Sequence, residues 1–207
     1  MNNTTHAMSI QDILKFDLTT RNLVKIAMLA AVGSVLMVLS FPLAAVFPPF
    51  LEIDLGDLPA LLGGFALGPV AGVLIELLKN LLNLLMDGTK TGGVGELSNF
   101  IVGSFFVVPA SIIYMRNKTR KNAILGMLAG IIAMTICACF SNYFLVIPLY
   151  QKFMPLEQII ASSPLEIVND MKSFILFAIV PFNLVKSTIV STVALLVYKR
   201  LSPILHK

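Results

Sequence analysis

The chain has 207 residues, 57% of them hydrophobic and only 13% charged, with a mean hydropathy of +0.89. A soluble domain carries about a quarter charged residues, so this composition excludes an ordinary soluble globule and places the chain in a lipid bilayer. The net charge of +4 would suggest nucleic acid in a soluble protein; here membrane orientation explains it, and no nucleic-acid partner is expected.

The first residues, MNNTTHAMSIQDILKFDLTT, carry charges and lack a compact apolar run, so no cleaved signal is expected there. They read as a cytoplasmic segment over 1–20. An apolar run at 22–40 follows. At 1.5 Å per residue its 19 residues just cross a hydrocarbon core of about 30 Å. Ala27, Ala30, Ala31 and Ser34 share one face of this helix, a spacing that lets another helix approach closely. That neighbour is either within the chain or a partner.

FPLAAVFPPFLEIDLGDLP, residues 41–59, is too apolar for a solvated loop and too rich in proline for a helix. It reads as a stiff connection over 41–57, with Glu52, Asp54 and Asp57 facing water or capping the next helix. The apolar run at 58–86 must then cross twice. A single crossing would leave the next span, 97–115, ending outside, against the four positive charges of RNKTRK (Arg116, Lys118, Arg120, Lys121). The turn is expected at Gly68-Pro69. Its first leg, about 16 Å long, is too short to face lipid alone and should be buried among other helices.

Further apolar runs at 122–149 and 173–198 complete an all-α bundle of six transmembrane helices. Lys15, Arg21 and Lys25, the RNKTRK cluster, and Lys199, Arg200 and Lys207 hold ten of the fifteen basic residues, which puts both termini in the cytoplasm. A single membrane domain over 21–200 and a tail over 201–207 result. The connection 150–172 is the longest external one, with room for a short amphipathic helix.

Polar groups inside spans are costly and therefore suspect. In GVLIELLKNLLNLL, Glu76, Lys79, Asn80 and Asn83 fall on one helical face; they form either a buried ion pair that fixes the bundle or part of a ligand site or its gate. VPFNLVKST puts Asn183, Lys186 and Ser187 together, to meet a polar ligand edge or to let the lysine snorkel outward. Asn142 and Tyr143 form a third set. Glu96 and Asn99, opening the 97–115 span, suit a helix cap or a contact. Such convergence inside apolar walls suits a small-molecule site.

Cys137 and Cys139, two apart in an apolar run, read as inert, and with His6 and His206 at the polar ends no metal set is expected. There is no G-x-x-x-x-G-K-[ST] for ATP and no G-x-S-x-G, so an enzymatic reading finds no motif.

In order and spacing, FPLAAVFPPFLEIDLGDLPALLGGFALGP, the ELLKNLLNLL face, GELSNF, PFNLVK and the A-x-x-x-A of Ala27 and Ala31 resemble the S components of energy-coupling factor (ECF) transporters, over about residues 20 to 200. The riboflavin-specific, RibU-type members are the most similar. The resemblance implies a bacterial plasma-membrane subunit, not an enzyme, that captures riboflavin from outside and uses no cofactor. It implies that Asn183 and Lys186, with Asn142 as a further candidate, meet the polar edge; Tyr143 and Asn99 join the expected ligand-binding residues from the polar sets above. Leu43, Ala44, Phe47 and Leu51 would cover the ring, making 41–57 a lid. Glu76, Lys79 and Asn80 would touch the ligand or support the gate. Ala27 and Ala31 would contact the transmembrane T component, with two ATPase subunits as further partners. Another vitamin on the same scaffold, or a self-sufficient transporter, are the competing expectations.

Overall fold

The computed structural model describes residues 13–15, 17, 19–89 and 91–205, with side chains described up to residue 197. Most of the N-terminal segment expected over 1–20, Lys90, His206 and Lys207 lie outside the described residues, as do the side chains of Lys199 and Arg200.

Helix α1 spans Thr20–Val38; Thr19 caps it by accepting a hydrogen bond from the Asn22 amide. The connection that follows folds back on itself. Its two-residue strands, β1 (Phe41–Pro42) and β2 (Glu52–Ile53), pair antiparallel, with Phe41 opposite Ile53. Helix α2 (Asp57–Leu67) and helix α3 (Pro69–Met86) form a hairpin at Gly68. There φ is +103°, a region open to glycine, and Pro69 takes the first helical position, where its missing N–H is harmless. The expected turn is therefore observed. So is the burial of the short leg: nine residues of α2 lie inside the bundle, among them Pro59, Gly63 and Phe65.

Helix α4 (Val94–Arg116) and helix α5 (residues 120–150) run side by side in the most extensive helix pairing among the described residues. Gly126 and Gly130 make the approach possible: a Cβ at either position would fall 2.5 Å from the carbonyl oxygen of Ala110 or Phe106. Helix α5 comprises Arg120–Ser141, a π-helical turn at Asn142–Val146 and Ile147–Tyr150. Helix α7 is built alike, from Met171–Phe174, a π-helical turn at Ile175–Ile179 and Val180–Leu205. Between them lies α6 (Leu156–Ala161), the short helix anticipated in the 150–172 connection, anchored by buried Ile159.

Five of the described helices are long and apolar enough to cross a membrane. Their exposed faces are rich in Leu, Ile, Val and Phe, including Leu85, Phe144 and Leu196. Water would make such faces a liability. Hydrocarbon makes them appropriate, and the molecule is a multi-pass integral membrane protein.

Candidate ligand-binding cavity

Two lysines within the apolar helices organise the interior. A buried ammonium is tolerable only with compensating charge, and three carboxylates supply it. Lys79 Nζ donates to Asp57 Oδ1 and lies 2.8 Å from Glu76 Oε2. Lys186 Nζ donates to Asp54 Oδ2 at 2.8 Å and to Asn99 Oδ1 at 3.2 Å, and stands 3.6 Å from Asp57 Oδ2. Asp57 thus bridges both lysines. All five charged groups are buried.

This overturns one expectation. Asp54 and Asp57 do not form the wet side of the loop; they turn inward as counterions, and Asp54 also accepts from the Gly56 amide at 2.7 Å. Nor does Lys186 snorkel outward, since only 5% of it is exposed. Glu52 is the acid that stays half-buried, accepting from the Ser40 hydroxyl.

Beside this cluster lies a cavity of about 370 Å³, within the usual range for a small-molecule site. Helix α7 contributes Ile179, Phe182, Asn183 and Lys186; α5 contributes Met134, Ala138, Asn142, Val146 and Tyr150; α4 contributes Glu96, Asn99 and Val102. The loop closes it with Pro49, Phe50, Leu51, Glu52 and Asp54, and Asn83 of α3 reaches it. Asn142 and Asn183 each donate one amide N–H to a carbonyl four residues back, Ala138 and Ile179, at 2.8 Å. Each sits at or just after a π-helical turn, where an extra residue re-aims the side chains that follow. Phe50 reaches across to Tyr150 and Phe174, at ring-centre distances of 5.6 and 6.3 Å.

The expected site residues divide accordingly. Asn142, Asn183, Lys186, Asn99 and Leu51 are brought together around the cavity. Phe47 is buried one layer behind, edge-on to Phe182 at 5.4 Å, so it steadies the wall without forming it. Leu43 and Ala44 are exposed and away from the cavity, because the fold of the loop turns its second half inward and its first half out. Tyr143 also points elsewhere. One residue beyond Asn142 on a helix is about 100° around it, and Tyr143 contacts Phe144 on the outer surface. Glu76, Lys79 and Asn80 are buried outside the cavity lining, Glu76 and Lys79 as an ion pair, while Asn83 of the same face lines the cavity.

Sequence reasoning missed the inward role of Asp54 and Asp57, and missed Phe50 and Tyr150. The carboxylates had a legible signal. Glu76 can compensate only one of the two intramembrane lysines, and EIDLGD holds acids set among apolar residues. The stripe on α1 also splits: Ala30 and Ser34 are buried against the bundle, while Ala27 and Ala31 are exposed.

A helical bundle of membrane length, holding a polar-edged cavity under the 41–57 loop, defines a small-molecule-binding membrane protein. Residues 21–198 match the family model described as "ECF transporter, substrate-specific component", and the chain belongs to that family. It is 37% identical over 187 residues to "Riboflavin transporter RibU" of Staphylococcus aureus (strain TCH60), covering 90% of this chain and 93% of that protein. It is 33% identical over 184 residues to "Riboflavin transporter FmnP" of Bacillus subtilis (strain 168), covering 88% and 93%. A solved S component of a bacterial ECF transporter superposes with a TM-score of 0.72 at 35% identity, covering 90% of this chain and 98% of that one.

Proposed function

We propose that this chain is the riboflavin-binding S component of an ECF importer in the bacterial plasma membrane. It captures the vitamin from the extracellular side and passes it inward with a T component and two ATPase subunits. The observation that carries the reading is the cavity itself, which sets the amides of Asn99, Asn142 and Asn183, the Lys186 ammonium and several carboxylates among apolar and aromatic groups. Riboflavin has that pattern, a flat apolar ring system with one polar edge and a polyhydroxylated tail. Curated relatives that bear the name riboflavin transporter support the choice of vitamin.

In this reading Asn142, Asn183 and Lys186 meet the polar edge of the ring. Each amide has already spent one N–H on the backbone, which leaves its carbonyl oxygen and second N–H for the ligand. Leu51 and Phe50 cover the ring, and residues 41–57 act as the lid, with 49–54 as its contact segment. The short α2 is a sixth crossing, completed by the ordered chain before it, and the distribution of basic residues places both termini in the cytoplasm. The membrane domain spans 21–200, between the cytoplasmic segments 1–20 and 201–207.

Titrating riboflavin into the purified protein in detergent tests this. Saturable quenching of flavin fluorescence is the expected result, and folded protein that leaves the fluorescence unchanged rules the vitamin out. Proteoliposomes test the transport role: uptake should need the T component and ATPases, and uptake by this chain alone would make it a self-sufficient transporter.

A further inference from the structure

One carboxylate of the cavity stands apart from the ionic cluster. Glu96 lies in the first turn of α4 and lines the cavity. Its Oε2 accepts hydrogen bonds from the hydroxyls of Thr89 (3.2 Å) and Thr91 (3.3 Å), and the Thr91 hydroxyl in turn accepts from the Gly95 amide at 2.9 Å. Among the described residues no salt bridge reaches it. Its two hydroxyl partners hold it in place. Lys186, the ammonium lining the same cavity, is already matched by Asp54 and Asp57. Glu52 and Asp87 add further carboxylates to the walls.

The balance has a consequence for ligand choice. Carboxylate oxygens suit the hydroxyls of a neutral, polyhydroxylated tail, which can donate to them. A phosphate monoester carries about −1.5 to −2 charges at pH 7; it would meet Glu96 at short range, with the cavity's ammonium already engaged. We propose that Glu96 is a specificity-determining residue that admits a neutral polyol and rejects its phosphate ester by charge repulsion. Resting on the riboflavin reading, the inference is that this chain discriminates riboflavin from riboflavin 5′-phosphate through Glu96. Selectivity of this kind comes from a repulsive element built against the competitor.

The test compares two affinities in the full-length protein, for riboflavin and for riboflavin 5′-phosphate, by flavin fluorescence. The wild type should prefer riboflavin by roughly 10- to 100-fold, the size expected of like charges several ångströms apart in a partly screened site. Glu96→Gln, which keeps the shape and removes the charge, should narrow that ratio at least fivefold. Glu96→Lys should narrow it further or reverse it. Equal affinity of the wild type for both ligands overturns the proposal whatever the variants do. A ratio within twofold of wild type in a variant that still binds riboflavin overturns it as well. Failure of the wild type to bind riboflavin at all removes the functional reading itself, an outcome distinct from either of these.

Discussion

Lys186 serves two masters, the cavity and the ionic cluster, and its removal should therefore be read in two ways. Loss of a hydrogen bond to a charged group costs about 1.5–3 kcal/mol, so Lys186→Ala should weaken riboflavin binding roughly 10- to 150-fold. Asn183→Ala removes a neutral bond and should cost only about 2- to 12-fold. Titration by fluorescence quenching measures both, and unchanged affinity in the pair would move the site away from α7. Lys79 touches no cavity wall, so Lys79→Met should leave its mark on stability. It strands Glu76 and leaves Asp57 with Lys186 alone, a loss of about 3–5 kcal/mol visible as a lowered Tm in detergent. Glu76→Gln should be milder. Neither Glu76 oxygen has a well-formed hydrogen bond, and three buried carboxylates face two lysines, so removing the surplus charge relieves the cluster. At this scale the sequence was half legible. The intramembrane lysines and asparagines declared themselves by being polar where polarity is expensive. Asp54 and Asp57 declared themselves only indirectly, through the second lysine left without a counterion; taken singly, a carboxylate next to a span looks the same whether it faces water or a lysine 22 or 132 residues away.

At the scale of elements, charge and proline foresaw more than periodicity did. The α2–α3 hairpin was legible because orientation required a second crossing and Gly68-Pro69 offered a place to turn. Gly68→Val would force a β-branched residue to φ +103°, and the strain of about 1–3 kcal/mol should lower Tm while the cavity residues, all but Asn83 borne outside the hairpin, keep their riboflavin affinity within a few-fold. A variant as stable as wild type would mean that the hairpin relaxes freely at that point. The π-helical turns were not legible. They lie where α5 and α7 meet, a contact of which single-helix spacing carries no trace. Tyr143 was expected in the site for a different reason, its adjacency to Asn142 in sequence, which on a helix puts it about 100° away. The α4–α5 contact had a signal in GMLAG, the small-residue spacing at Gly126 and Gly130.

The whole molecule is asymmetric in what it leaves uncovered. Most of α1 is exposed, with only Ile26, Ala30, Gly33 and Ser34 buried. On its outer side Ala27 and Ala31 form a shallow strip between Val24, Met28 and Val35. A helix face meant only for lipid has no need of small residues, whereas one that receives another helix gains close contact from them. The cavity lies elsewhere, walled by α4, α5, α7 and the lid, and Met37, near the C-terminal end of α1, is the helix's contribution to it. Binding and assembly are therefore separable by mutation. Ala27→Leu and Ala31→Leu add bulk that lipid tolerates and a docked helix does not. Riboflavin affinity in detergent should stay within about twofold of wild type, while co-purification with the T component and ATP-dependent uptake fall at least tenfold. Loss of vitamin binding in these variants would show that the strip packs inside the bundle, and intact assembly would place the partner on another face.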